Sequence, residues 1–207
     1  MSLYKHEEKL NTFSHALAIP FFIIGFILLL AKSQHKTAYS TFAIVVYSCS
    51  AILLFFASTA YHWVKHPSLK TKFRILDHIS IYFLIAGTYT PVCLITLEEG
   101  HGWSIFVVVW ALTGVGTILK LFFTGKYEVV SLLLYVVMGW LIVWDLEALL
   151  SKIAERGLYL LLLGGAFYTL GIVFYAVRKI PYNHFIWHLF VLGGALSHWF
   201  LIYLVVV

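Results

Sequence analysis

The chain is 207 residues long, 62% hydrophobic and only 11% charged, with a formal net charge of +5. A soluble domain of this size carries about 25% charged residues, so the composition excludes an ordinary water-soluble fold. The positive charge sits in loops, where it reports membrane orientation rather than a nucleic-acid-binding surface.

Stretches free of Asp, Glu, Lys and Arg cover 10–31, 37–64, 78–97, 100–119, 129–144, 157–177 and 180–207. A helix needs about 20 apolar residues to cross a bilayer. All but the fifth stretch reach that length, and the fifth does so once Asp145 and Glu147 lie at the headgroups. The predicted architecture is an all-α, seven-helix transmembrane bundle that takes the whole chain, 1–207, as one domain and leaves no length for a soluble one. The first stretch exceeds the usual signal-peptide core of about 7–15 residues, and six more follow it, so it reads as a span. Cys49 and Cys93 fall inside spans, as small apolar core residues rather than a disulfide or metal pair.

Seven spans place alternate loops on opposite sides. The N-terminus and the second, fourth and sixth loops hold Lys5, Lys9, Lys65, Lys70, Lys72, Arg74, Lys120, Lys126, Arg178 and Lys179, against Lys32, Lys36, Lys152 and Arg156 on the other side. The positive-inside rule then puts the N-terminus in the cytoplasm and the C-terminus outside. Tyr61, Trp63, Trp103, Tyr127 and Tyr159 lie near span ends, as interfacial aromatic residues do.

An ionisable residue inside a span is costly and marks a functional position by default. The second span runs inward and ends in "STAYHWVK", where Ser58 and His62 are four residues apart and share a helix face. The third span starts from the same side with "RILDHISIY", which predicts Asp77 in its first turn. The seventh also starts there, with "PYNHFIWHLF", so His184 and His188 again share one face. Five side chains from three helices are thus expected in one cytoplasm-proximal layer. Three neutral imidazoles suit zinc, and a fourth tetrahedral position left for water marks a catalytic type of site. Asp77 is then placed to accept or hold a proton, and Ser58 to hydrogen-bond beside it.

Each residue alone has a plainer explanation. His62 fits an interfacial histidine reaching the headgroups equally well. Asp77 fits a first-turn acid favoured by the helix dipole, and Ser58 a helix-packing residue. The shared depth of all five favours a metal. His198 lies too far along the seventh span to bind the same ion and reads as an interhelical hydrogen-bonder, about 21 Å beyond His184. His15 suits packing at least as well as support of the site, and His78 points about 100° away from Asp77. "AGTYTP" predicts a kink relieved by threonine hydroxyls. "LGGAFYTLG" permits close helix approach.

At these residues the sequence resembles the hemolysin III branch of the progestin and adipoQ receptor (PAQR) family. The stretches "EEKLNTFSH", "STAYH", "LDHISIYFLIAGTYTP", "VVMGW", "GGAFYTLGIVFY" and "HFIWHLFVLGGALSHW" carry the likeness nearly end to end. The resemblance implies seven helices with the N-terminus inside, zinc held by His62, His184 and His188, Asp77 contacting the metal through water, and Ser58 at the family's serine. It also implies a bacterial plasma-membrane protein tied to membrane-lipid homeostasis. Alkaline ceramidases of the wider superfamily hydrolyse lipid amides, and the family's adiponectin receptors are associated with ceramidase activity. Those receptors carry long cytoplasmic N-terminal extensions, whereas about ten residues precede the first span here, a departure from receptor-style signalling.

The functional expectation is a zinc-dependent intramembrane lipid amide or ester hydrolase acting on membrane lipids, with no nucleic acid and no obligatory protein partner. The alternatives are a non-enzymatic sensor of membrane state with a structural zinc, and a haemolytic pore. The pore has little support, because the spans lack a continuous polar stripe.

Overall fold

The computed structural model describes the backbone of residues 2–207 and the side chains of residues 5–207. Every regular element among these is helical. They are α1 (Ser2–Ala16), α2 (Ala18–Lys32), α3 (Ser40–Trp63), α4 (Pro67–Pro91), α5 (Gly102–Phe123), α6 (Glu128–Trp140), α7 (Leu146–Lys152), α8 (Glu155–Ala176) and α9 (Asn183–Leu201). Among the described residues, seven helical stretches are long and apolar enough to cross a membrane: Lys5–Lys32, Ser40–Trp63, Pro67–Thr96, Gly102–Phe123, Glu128–Lys152, Glu155–Ala176 and Asn183–Val206. The chain is a multi-pass membrane protein.

Three details differ from the sequence expectation. The first span does not begin where the charges end: α1 is already helical at Ser2 and carries Glu7 and Glu8 into the bundle. Likewise α4 opens at Pro67, a residue preorganised for a first helical position. Lys70, Lys72 and Arg74 therefore ride on the helix, and Asp77 lies well inside it rather than in its first turn. In the fifth span α6 passes through a tighter turn, Leu141–Asp145, into α7. Asp145 is buried there rather than laid among headgroups, because its carboxylate accepts the His101 N–H at 2.8 Å and so caps α5.

The kink expected at "AGTYTP" takes the form of a wider π turn, Val92–Thr96, directly after Pro91. Pro91 has no N–H to give, and Leu97 bonds back to Val92 at 3.0 Å in the wider register. Thr88 and Thr90 donate their hydroxyls to Leu84 and Ala86 carbonyls in the preceding turns.

The closest packing joins α3 to α4 and α8 to α9, with α1 laid against both α3 and α9. Burial is uneven. In its most apolar window the third span is 67% buried, whereas the fifth and sixth are each 17% buried.

Candidate metal centre

The buried face of α3 is a stripe at helical spacing: Ile44, Tyr47, Ala51, Leu54 and Phe55 are all nearly inaccessible. Ser58 and His62 continue that stripe to the helix end, which is why they point inward rather than to lipid. The α9 stripe is built the same way from Trp187, His188, Val191, Ala195, His198 and Leu201. His184 stands one turn before His188, at the start of the helix.

The two stripe ends meet. One ligand nitrogen from each of His62, His184 and His188 lies within 4.8 Å of the others, which makes a group able to hold a metal ion. The rings form a triangle with centroids 4.8 Å apart for His184 and His188, 5.0 Å for His62 and His188, and 5.1 Å for His62 and His184.

Hydrogen bonds behind the rings choose which nitrogens face inward. His62 Nδ1–H donates to Glu8 Oε1 at 3.1 Å, and His188 Nδ1–H donates to the Asn11 carbonyl at 3.2 Å. Those bonds leave Nε2 of each imidazole bare. Nε2 of His62 and of His184 are buried without a hydrogen-bond partner. Each such orphan costs about 1–3 kcal/mol unless something fills it. Three imidazoles that turn lone pairs toward one point fit a divalent cation of the zinc type.

The helix that does this positioning is α1. Glu8, Asn11 and His15 are three and four residues apart, hence on one face. Glu8 and Asn11 hold the ligands as described, and His15 stacks on His188 with centroids 3.8 Å apart and 10° between planes. Lys70 donates to the second Glu8 oxygen at 2.8 Å. Glu7 Oε1 accepts the His184 N–H at 3.2 Å, which caps an α9 start where Tyr182 offers no side-chain cap. The sequence offered His15 as either packing or support of the site and included Glu8 and Asn11 in the stretch that carries the family likeness, but gave Glu7 and Glu8 no role, although the helical spacing of "EEKLNTFSH" held the signal.

Asp77 stands outside the three-histidine group. It is buried on the wall of a cavity of about 650 Å³, where Ser58, His184 and His188 also emerge. The Ser58 hydroxyl lies near enough to interact with the Asp77 carboxylate, without a hydrogen bond of ordinary geometry. His78, set aside on helical phase, reaches the same cavity, as does His198 much further along. Away from the histidines the wall is apolar, and the cavity runs between α4, α6, α8 and α9 as far as Val92, Leu158 and Leu201.

Residues 3–199 match the family described as Haemolysin-III related. Hemolysin-3 of Bacillus cereus is 42% identical over 204 residues, covering 97% of this chain and 92% of that protein. The Hemolysin-3 homolog of Bacillus subtilis is 36% identical over 195 residues, 94% of this chain and 92% of the relative. Monocyte to macrophage differentiation factor of Homo sapiens is 33% identical over 211 residues, 96% and 84% respectively. No solved structure matches the chain.

Proposed function

The chain belongs to the haemolysin-III related family of multi-pass membrane proteins, the branch of the PAQR family that its histidine pattern resembles, and we propose that it is a zinc-dependent hydrolase of lipid amides or esters in the bacterial plasma membrane. The observation that carries this reading is the cavity. A purely structural zinc staple is closed by a fourth protein ligand and needs no chamber, whereas here a group of three histidines borders, through His184 and His188, an apolar chamber of about 650 Å³. That volume lies in the range of pockets that enclose small molecules, about 300–1,000 Å³.

His62, His184 and His188 would hold the ion. A divalent cation there supplies Lewis acidity toward an acyl carbonyl and toward water. Glu8 and Asn11 fix the tautomers of His62 and His188, so both present Nε2 without rearrangement. Asp77 takes the proton of the attacking water and returns it to the leaving amine or alcohol. Ser58, its hydroxyl otherwise unbonded, donates to the developing oxyanion. The apolar wall seats the acyl chain and keeps bulk water from the reacting carbon. The charge pattern puts this end of the bundle at the cytoplasmic headgroups, the depth of a lipid's amide or ester bond. An aqueous pore is disfavoured by the same wall, which is mostly apolar beyond the histidine group.

Metal analysis of purified protein, paired with turnover of a panel of bacterial phospholipids and ceramides, tests the proposal. Wild type is expected to carry one zinc and to release fatty acid from at least one lipid. His188→Ala is expected to lose both properties, and Asp77→Asn to keep the metal and lose turnover. A zinc-loaded wild type that leaves the whole panel intact would refute the hydrolase and leave the staple.

A further inference from the structure

The cavity carries a second polar point that the hydrolytic site does not use. His198 of α9 and Tyr168 of α8 both line it, with ring centroids 5.6 Å apart. His198 lies ten residues beyond His188, about 15 Å along the helix axis.

The pair is built into the packing of the two helices. The His198 ring lies against Gly164 of α8, where a β-carbon would collide with it. The Tyr168 ring lies against Gly194 of α9, where an added β-carbon would sit 2.7 Å from the ring. Each helix thus gives up a side chain to seat the other's polar aromatic. Close approach alone does not need the exchange to place polar rings.

Their hydrogen-bonding state points to a ligand. His198 Nε2–H donates to the Leu161 carbonyl at 3.4 Å, which leaves Nδ1 as a bare acceptor. Nδ1 is buried without a partner, and so is the Tyr168 hydroxyl. Tyr47 of α3 holds another buried hydroxyl without a partner. An acceptor and a donor on neighbouring rings are complementary to a group that donates once and accepts once. In an acyl-chain chamber that group is an alcohol.

We propose that His198 and Tyr168 form a recognition site for a hydroxyl in the middle of an acyl chain, so that the chamber selects hydroxylated chains over plain ones. The proposal rests on the reading of the cavity as an acyl-chain chamber, but it is about binding and needs no turnover.

The test is competition binding by native mass spectrometry on full-length protein, with octadecanoic acid, a mid-chain hydroxy-octadecanoic acid, and the isomer with its hydroxyl beside the carboxyl. Wild type is expected to hold the mid-chain alcohol roughly tenfold tighter than either other acid. Tyr168→Phe keeps the ring on Gly194 and is expected to erase most of that preference while leaving octadecanoic acid unaffected. Equal affinities for the three acids in wild type, the outcome if the two groups hold only a water, overturn the proposal without any variant. So does a Tyr168→Phe protein that weakens all three alike, or wild type that binds none. If the preference holds while no lipid is hydrolysed, the hydrolase fails and this site stands. If lipids are hydrolysed with no preference, the reverse follows.

Discussion

The Glu8–His62 contact makes a quantitative demand. Glu8→Gln preserves shape and removes the charge that His62 Nδ1–H meets at 3.1 Å. A hydrogen bond to a charged group contributes about 1.5–3 kcal/mol. The His62 side chain is 2% exposed, but that of Glu8 is 20% exposed and shares its charge with Lys70 at 2.8 Å. Solvent and the shared cation pull the effect to the low end, and each 1.4 kcal/mol is about a factor of ten. Zinc affinity should therefore fall about tenfold, at the bottom of the range for groups that orient a ligating histidine, about 10–100-fold. Chelator competition on purified protein reads the affinity, and thermal unfolding of the metal-free protein checks that the bundle is intact. Lys70→Ala leaves the carboxylate on His62 and should shift affinity by less than about threefold, as a partly exposed ion pair does. A Glu8→Gln protein that holds zinc as tightly as wild type would refute the role assigned to α1.

Other outcomes follow from separate contacts. Lys120, with 1% of its side chain exposed, pairs with Glu128 at 2.8 Å, so Glu128→Gln strands a buried charge and should cost about 3 kcal/mol in thermal unfolding, with zinc content unchanged. An unaltered melt would mean that Lys120 has another counter-charge. Glu7→Gln weakens the cap of α9 by about 1 kcal/mol, and hydrogen exchange should quicken at residues 184–186. Gly165 lines the cavity, and a β-carbon there meets nothing within 4 Å. Gly165→Leu should therefore fold and keep its metal while lipid turnover falls at least tenfold; unchanged turnover would put the acyl chain elsewhere.

Much of the metal group was legible in the sequence because helical period and depth are sequence properties. Ser58 and His62, and His184 and His188, are each four apart at the same end of their spans, and that sufficed to foresee the meeting of three imidazoles. What failed was the rule that a span stops at its first charge. It started the first span after Lys9 and the third beside Asp77, because a hydropathy reading treats a charge as solvated. Here Glu8 is bonded to His62 and Lys70, so it stays inside the bundle and the helix runs through it. Asp77 went from first-turn acid to buried wall residue for the same reason. His198 bonds across to the Leu161 carbonyl of α8, as an interhelical hydrogen-bonder should. Its distance from His184 was right as well, but the cavity that joins them arises because α6 packs only sparsely on α4 and α8, and a linear pattern does not encode the space between helices.

The division of labour in the bundle follows from that looseness. The candidate metal ligands sit on α3 and α9, and α1 fastens the two together through Glu7, Glu8, Asn11 and His15. The outer wall of the chamber belongs to α6 and α8, which turn Leu133, Val137, Leu163 and Val173 outward and are little buried. Lipid tails are as apolar as leucine, so no hydrophobic cost opposes a small parting of α6 from α8. The bonded cage, in contrast, loses several hydrogen bonds if α1 moves. On the hydrolase proposal, a lipid is therefore best admitted from the bilayer side, past α6 and α8, with the histidines undisturbed. Substitutions on those two helices should alter which lipids bind, whereas substitutions along α1 should alter how tightly the metal is held.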